Sequence, residues 1–216
     1  MISLFVIFIL SYLAGSIPTS IIVSKLFYKK DIREHGSGNA GGTNVFRVLG
    51  WKPGVFVALV DVGKGVLATL IISQIKIDTI PAFFKPDVLK LCAGIFAIIG
   101  HIWTVFAGFR GGKGVGTAAG VILSLYPIAI LICFAIWGTL VLTTRIVSVS
   151  SMTAAICLPI TLFVMDRYFD IFVHPLLFGI SIVLALLIVF THRSNLKRLF
   201  RGEENRFKPI WQRNKK

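Results

Sequence analysis

Long apolar runs constrain this chain more than any other feature of its sequence. The first extends from Ile2 to Phe27 and is interrupted by little except Gly15, Pro18 and a few hydroxyl side chains. A helix needs about 20 such residues to cross roughly 30 Å of hydrocarbon. Apolar residues make up 56% of the 216 and charged residues only 15%, which excludes an ordinary soluble domain. The sequence therefore predicts an all-α integral membrane protein.

Further apolar segments follow the first one along the chain. They cover about 53–73, 91–109, 149–165 and 175–190. A longer stretch from Val115 to Leu142 contains Tyr126-Pro127 near its middle. By its apolar character alone, that stretch is either one span or a helical hairpin that turns at this dipeptide.

The distribution of basic residues favours the hairpin. If the stretch crosses the membrane twice, 18 of the 23 lysines and arginines share one side, and such an excess marks the cytoplasmic side. The chain is then a single domain, 1–216, with seven transmembrane helices, an outside amino terminus, a cytoplasmic carboxyl terminus and short fourth and fifth helices. Its cytoplasmic loops are about 28–52, 109–117, 144–149 and 191–216. This arrangement, with anionic lipids or ligands, accounts for the net charge of +14 without a nucleic-acid partner.

The first candidate site is the loop from Glu34 to Arg47, which combines glycines, small polar residues and one cation. Glycine tolerates positive φ, so successive backbone N–H groups of such a loop can turn toward one anion. We expect a phosphate or oxyanion site here, at the membrane surface. A short amphipathic helix over 44–49 should follow, capped by Thr43 and ended by Gly50. The candidate ligand residues are Gly36, Ser37, Gly38, Asn39, Gly41, Thr43, Asn44 and Arg47.

A second glycine-rich motif, R-G-G-K-G, lies between two apolar segments at 110–114. Backbone N–H groups at a helix start, together with a lysine, suit a phosphate. The motif departs from a P-loop at Ala107 and Gly114, so no nucleotide is expected. Beyond it, Gly116 and Gly120 have the spacing of close helix packing. The candidate phosphate ligands are Arg110, Gly111, Gly112, Lys113 and Gly114.

Two further sets of polar residues stand out. Asp61 and Lys64, three residues apart inside an apolar segment, form either a structural ion pair or part of a polar cavity, because an intramembrane charge is costly. In the tail, His192 and Asn195 lie one helical turn apart. Ser148 and Ser151 start the sixth helix, where they either cap the helix or take part in the site.

The three cysteines, Cys92, Cys133 and Cys157, are expected to be reduced core residues. No metal or cofactor is expected.

These motifs together resemble the bacterial acyl-phosphate:glycerol-3-phosphate acyltransferase family. The resemblance covers nearly the whole chain through G-S-G-N-A-G-G-T-N-V-F-R, D-V-G-K-G, G-H-I-W-T-V-F-A-G-F-R-G-G-K-G-V-G-T and H-R-S-N-L-K-R-L-F-R-G-E-E. It implies a seven-span enzyme of the bacterial cytoplasmic membrane that moves a fatty acyl group from acyl phosphate to the sn-1 hydroxyl of glycerol 3-phosphate, giving lysophosphatidic acid. The chain departs from the family pattern at Ala40, Gly42, Gly116 and at Thr104, where proline is usual.

The residues and the resemblance together suggest roles. Ser37, Asn39 and Asn44 are expected to contact substrate and the developing oxyanion, and four cations to bind phosphates: Arg47, Lys64, Arg110 and Lys113. His192 and Asn195 should orient the acceptor, and Ser148 and Glu203 should contribute to substrate binding. The general base is either His192 or the donor's own phosphate. The competing function is transport of a phosphate-bearing solute, which the almost featureless outer halves of the spans disfavour.

Overall fold

A computed structural model describes residues 1–207, and within that range the chain forms helices and loops without a β-strand. The end of the predicted tail loop, 208–216, lies outside the described residues. The α-helices are Ile2–Ser16 (α1), Thr19–Tyr28 (α2), Gly42–Leu49 (α3), Trp51–Leu70 (α4), Pro86–Ile102 (α5), Val115–Leu125 (α6), Pro127–Thr144 (α7), Val147–Tyr168 (α8), Pro175–Thr191 (α9) and Arg193–Phe200 (α10).

Five helical segments of the described chain are long and apolar enough to cross a membrane. They are Ile2–Tyr28, Trp51–Gln74, Pro86–Ala107, Pro127–Thr144 and Val147–Tyr168. The pair α9 and α10, bent by 56° at its junction, is a sixth candidate. Helix α6 has 11 residues and is therefore only about 16 Å long. The all-helical membrane architecture is confirmed, whereas the seven crossings and their orientation remain predictions.

Prolines decide where the apolar segments break. The first segment, expected to extend to Phe27 with Pro18 as one of its few interruptions, is divided there, since α1 ends at Ser16 and α2 begins at Thr19. Pro18 has no N–H, and its ring clashes with the carbonyl four residues earlier in a continuous helix. The stretch from Val115 to Leu142 is likewise divided into α6 and α7, as predicted. Helix α6 is short as expected, whereas the prediction of a short fifth helix is wrong, because α7 has 18 residues and is long enough to cross a membrane.

Two helix starts differ from the sequence-based expectation. Helix α5 begins at Pro86 rather than Leu91, since proline suits the first turn and Asp87 complements the helix dipole there. The prediction that Thr43 caps α3 is wrong: the residue before the helix is Gly41, and no side chain caps it. Gly50 ends α3 as expected, with φ of +106°.

The chain forms two compact units, which divide after Pro127. In the first unit, α1 packs against α5, and α4 packs against α6. Glycines let these backbones meet: a Cβ added to Gly120 would lie 2.0 Å from the Val62 carbonyl oxygen. The packing role expected for Gly120 is thereby confirmed. In the second unit, α8 packs against α9, and α10 follows α9 directly.

Candidate active site

The glycine loop of the first unit is organised by Asn44, whose side chain is 1% exposed. Its Oδ1 accepts a hydrogen bond from the Ser37 N–H at 2.9 Å. Its Nδ2 donates to three carbonyl oxygens, those of Ile32 at 3.0 Å, His35 at 2.9 Å and Asn39 at 3.1 Å. Asn44 was expected to contact substrate, but all of these polar contacts are made inside the loop. In the structure, Asn44 closes the loop through these hydrogen bonds.

Backbone conformation explains one glycine of this loop directly. Gly36 has φ of +63°, which other L-residues rarely adopt, and a Cβ there would lie 2.3 Å from the Asn44 Oδ1. The expected cradle of N–H groups is wrong for three members of the loop, because Ser37, Gly38 and Gly41 donate their N–H groups within the loop itself. Such a tight turn uses its own donors. The side chains that remain as candidate anion ligands in this loop include the half-buried Ser37, Asn39 and Arg47 and the exposed Thr43.

An ion cluster fixes the start of this loop. The Asp31 carboxylate lies 2.7 Å from Arg33 Nη2 and 3.0 Å from Lys25 Nζ. Hydrogen bonds from the Arg33 guanidinium hold the pKa of Asp31 well below its usual range. Arg33 also donates from Nη1 to the Ala107 carbonyl at 3.4 Å. The glycine loop is thereby tied to the segment that leads into the R-G-G-K-G motif.

The R-G-G-K-G motif lies over the carboxyl end of α5. The N–H groups of Gly111 and Gly112 donate to the carbonyls of Ile102 and His101 at 3.1 and 3.0 Å. These two donors complete the helix end, so the expectation that they hold a phosphate is wrong. Gly114, with φ of +83°, immediately precedes α6. Arg110 is exposed and Lys113 is half-buried, which leaves their side chains as the motif's candidate phosphate ligands.

A buried ion pair lies in the same unit. Lys64 Nζ is 2.7 Å from Asp61 Oδ1 and donates to the Ile17 carbonyl at 2.5 Å. Both charged residues are 5% exposed. Lys64 was expected at a phosphate, but two of its three ammonium donors are used by this pair and by the carbonyl at the break between α1 and α2. Sequence analysis gave no role to His101, whose Nδ1 lies 3.6 Å from Asp61 Oδ1.

The polar cluster of the second unit is centred on Glu204. Its Oε1 accepts from Asn195 Nδ2 at 2.6 Å and from Ser148 Oγ at 2.8 Å, and its Oε2 accepts from Arg198 Nε at 2.9 Å. From the sequence, Ser148 was expected either to cap α8 or to take part in the site. Helix α8 has no side-chain cap, and the Ser148 hydroxyl belongs to this cluster instead.

The turn after α10 determines which glutamate enters the cluster. Gly202, with φ of +73°, donates its N–H to the Leu199 carbonyl, and the Glu203 N–H donates to the Arg198 carbonyl. These are the two bonds of a Schellman turn, which reverses the chain after a helix. The reversal leaves Glu203, the residue singled out from the sequence, exposed. Glu204, which sequence analysis missed, carries the buried carboxylate, and only the turn geometry distinguishes the two neighbours.

His192 lies at the junction of α9 and α10 and is 3% exposed. Its Nδ1 is 2.7 Å from the Ile188 carbonyl oxygen. A carbonyl oxygen can only accept, so Nδ1 carries a proton, and in the neutral ring Nε2 is the acceptor nitrogen. This is the tautomer that a general base acting through Nε2 requires.

The acidic stability limit provides a test of the Glu204 cluster. Burial by itself would raise the pKa of Glu204, but hydrogen bonds from Asn195 and Ser148 and the charge of Arg198 outweigh it, so this pKa lies below its ordinary value. The ionised carboxylate therefore stabilises the fold above its unfolded pKa of about 4.3, and this contribution disappears as the pH falls through the lower folded value. In thermal unfolding below about pH 4.3, we expect wild type to lose stability more steeply than Glu204→Gln. Parallel curves for the two proteins would contradict this; Glu203→Gln is the control and should follow wild type.

Comparison with known proteins places these features in a family. The family model described as glycerol-3-phosphate acyltransferase matches residues 5–202. The glycerol-3-phosphate acyltransferase of Chlorobaculum tepidum is 45% identical, with 95% of this chain and 97% of that protein covered. That of Chlorobium luteolum is 43% identical at the same coverage.

Solved structures agree with the sequence comparison. A crystal structure of PlsY, an integral membrane glycerol 3-phosphate acyltransferase, in its glycerol 3-phosphate form has a TM-score of 0.83 and 37% identity, with 98% of each chain covered. Its lysophosphatidic acid form has a TM-score of 0.78 and 36% identity, with 96% of each chain covered. Nearly full-length similarity in both sequence and fold leads to one conclusion: the chain belongs to the glycerol-3-phosphate acyltransferase family.

Proposed function

We propose that the protein is a membrane enzyme that transfers a fatty acyl group from acyl phosphate to the sn-1 hydroxyl of glycerol 3-phosphate, releasing lysophosphatidic acid and phosphate. The observation that carries this proposal is the likeness, over 98% of both chains, to an acyltransferase crystallised in its glycerol 3-phosphate form. The lysophosphatidic acid form of the same relative supports the identity of the product. The acyl phosphate donor rests on the family resemblance of the four motifs.

In the first unit, phosphate binding is assigned to cations held next to tightly folded loops. Arg47 follows the glycine loop on α3, and Arg110 and Lys113 belong to the motif over the end of α5. Ser37 and Asn39, half-buried in the loop that Asn44 closes, supply polar side chains for substrate and for the developing oxyanion. Asn44 then acts by shaping the loop rather than by touching substrate.

In the second unit, His192 and Asn195 orient the acceptor hydroxyl. The tautomer of His192 leaves Nε2 as the ring nitrogen able to accept the hydroxyl proton. The donor's phosphate is the alternative acceptor of that proton. Glu204 holds Asn195 and Ser148 in fixed orientations, and Glu203 keeps its proposed role as an exposed contributor to substrate binding.

Acyl phosphate makes a direct transfer reasonable. It is a mixed anhydride with a good leaving group, so the acceptor oxygen can attack the acyl carbon while the bond to phosphate breaks. No covalent acyl-enzyme is then required, and catalysis comes from positioning and from donors aimed at the oxyanion. None of the four histidines, His35, His101, His174 or His192, has an aspartate five residues later. The chain thus lacks the H-x4-D dyad of the other glycerophosphate acyltransferase superfamily.

The test is acyl transfer by the purified protein in detergent or lipid, with palmitoyl phosphate and labelled glycerol 3-phosphate. We expect labelled lysophosphatidic acid to accumulate with added chelator and without nucleotide or coenzyme A. Palmitoyl-CoA in place of palmitoyl phosphate is the matched control and should give no product. Turnover only with palmitoyl-CoA would contradict the donor assignment, and no lysophosphatidic acid from either donor would contradict the function.

The same proposal places a single acyltransferase domain, 1–216, in the bacterial cytoplasmic membrane with seven crossings, the amino terminus outside and the carboxyl terminus inside. The distribution of basic residues supports it. In a variant without the native cysteines, Lys76→Cys should react with an impermeant thiol reagent in intact cells, whereas Arg201→Cys should react only after lysis. Labelling of Arg201→Cys in intact cells would rule out this topology.

A further inference from the structure

A buried polar cluster beneath the R-G-G-K-G motif has no part in the chemistry proposed above. It consists of Asp61, Lys64 and His101, exposed by 5%, 5% and 8%. Burying charges in the apolar part of a membrane protein is energetically costly, and such residues usually serve a function. The surroundings of the cluster indicate which function it serves.

His101 supports the motif from below. A Cβ added to Gly112 would lie 2.2 Å from His101 Nε2 and 2.9 Å from the Ala40 carbonyl oxygen. The imidazole, the R-G-G-K-G motif and the glycine loop therefore meet at Gly112. A residue with a side chain could occupy this position only if the ring or the Ala40 backbone moved.

Asp61 lies on the other side of the imidazole and is paired with Lys64. Asp61 Oδ1 is 3.6 Å from His101 Nδ1 and 2.7 Å from Lys64 Nζ. Asp61 also lies against the start of α6, since a Cβ added to Gly116 would be 3.2 Å from the Asp61 Cβ. The cluster thus lies against the middle of the motif that carries Arg110 and Lys113, at Gly112, and against the start of α6 just beyond the motif, at Gly116.

We propose that His101, oriented by Asp61, is a positioning residue for acyl transfer: its imidazole supports Gly112 and thereby sets where Arg110 and Lys113 stand relative to the glycine loop. Lys64 neutralises Asp61 and anchors the pair to the Ile17 carbonyl at the break between α1 and α2. This inference rests on the proposed function, because it assigns those two cations to a phosphate. His101 does not itself touch substrate.

Three replacements of His101 test this role. The amide of His101→Gln falls near the position of Nε2, under Gly112, whereas that of His101→Asn falls near Nδ1, beside Asp61, and His101→Ala supplies neither. We expect His101→Asn and His101→Ala to lower kcat/KM about 10- to 100-fold, chiefly by raising the KM of a phosphate substrate. His101→Gln should retain a KM closer to that of wild type. Three variants with wild-type KM, or a loss confined to kcat in all of them, would overturn the proposal.

A matched control separates positioning from a general loss of stability. Leu89, 5% exposed on the same helix, packs near Leu4 and Ile7, and Leu89→Ala removes a comparable buried volume. We expect Leu89→Ala to unfold at a lower temperature with an unchanged KM. A KM that rises equally in Leu89→Ala and His101→Ala would assign the effect to destabilisation and overturn the positioning role.

The contact between Gly112 and the imidazole gives a second, independent test. Gly112→Ala should impair activity because its Cβ meets the His101 ring. Adding His101→Ala removes that ring, so the double variant should be at least as active as Gly112→Ala alone. Independent sites would instead multiply their losses, and that result would overturn the contact as the cause. Gly63→Ala, whose Cβ would meet nothing within 4 Å on α4, is the control and should be active.

The role of Asp61 is tested with both charges removed, because deleting one partner leaves the other buried and unpaired. Asp61→Asn combined with Lys64→Met should fold and show the raised KM of His101→Asn. A wild-type KM in that double variant would show that Asp61 does not orient the imidazole.

A binding measurement distinguishes failure of this proposal from failure of the proposed function. Glycerol 3-phosphate should raise the thermal unfolding midpoint of wild type and His101→Gln, and raise it less in His101→Ala. If wild type makes no lysophosphatidic acid, the proposed function fails, and this ligand-induced shift still decides the positioning role. Equal shifts in wild type and His101→Ala would overturn it.

Discussion

Lys113→Ala should lower kcat/KM by about 100-fold or more while the protein still inserts and folds. Lys113 lies half-buried between Gly112 and Gly114, directly before α6. The backbone donors of Gly111 and Gly112 are used at the end of α5, so the phosphate affinity of this motif depends on its two cationic side chains. Removing a charge aimed at a phosphate therefore removes most of that affinity.

Two further variants make this expectation specific. Lys113→Arg keeps the charge but presents a planar fork instead of a compact ammonium, so partial activity is expected. Lys90→Ala removes a lysine whose partner, Asp87, is a solvent-exposed residue 3.5 Å away, and such pairs contribute little. Wild-type kinetics for Lys113→Ala, or equal losses in Lys113→Ala and Lys90→Ala, would contradict a role in phosphate binding.

His192→Ala should reduce kcat by about 100-fold or more if Nε2 takes the proton of the acceptor hydroxyl. The pH–rate profile should then lose its acidic limb, because no titrating base remains. If the donor phosphate takes the proton instead, the loss should appear chiefly in the KM for glycerol 3-phosphate, with the pH dependence retained. Steady-state kinetics across pH distinguish the two routes.

His192→Asn separates orientation from proton transfer. An asparagine amide near the position of Nδ1 can still donate to the Ile188 carbonyl but cannot act as a base at Nε2. We expect it to be as slow as His192→Ala if His192 is the base. The control is His174→Asn, where the histidine ring caps the start of α9 through the Leu176 N–H and asparagine is also a good cap. Wild-type kcat and KM for His192→Ala would remove both proposed roles.

Three of the four candidate cations lie beside glycine-rich turns. The expected roles of the four candidate cations came from the rule that glycine-rich turns with a lysine or arginine suit anions. The structure keeps Arg47, Arg110 and Lys113 beside such turns but uses Lys64 in a buried pair with Asp61. Their roles in the reaction remain predictions. The two glycine-rich motifs were identified from the sequence, but several of their glycine N–H groups donate to backbone carbonyls of the protein rather than pointing toward a ligand.

The buried carboxylate of Glu204 and the loop-closing contacts of Asn44 went unpredicted for a common reason, which is that both depend on how the chain folds back on itself. Glu203 and Glu204 are identical neighbours in the sequence, and only the Schellman turn after α10 buries the second. Asn44 looked like a ligand because it is polar and surrounded by glycines. Its partners, which include Ile32 twelve residues earlier, become visible only when the loop is closed.

The sequence alone determined the membrane class, the all-helical architecture, the break at Tyr126-Pro127 and the family, because these depend on apolar run length, the distribution of basic residues and co-linear motifs, all of which are visible along the chain without its tertiary contacts. Tertiary structure alone decided that Lys64 also donates to the Ile17 carbonyl, that His101 lies under Gly112, and that Glu204 binds Ser148, 56 residues away in the chain. The bonds of Lys64 and Glu204 satisfy buried polar groups with partners that are distant in sequence. Burial makes such a partner obligatory, but only the packing of the helices determines which residue supplies it.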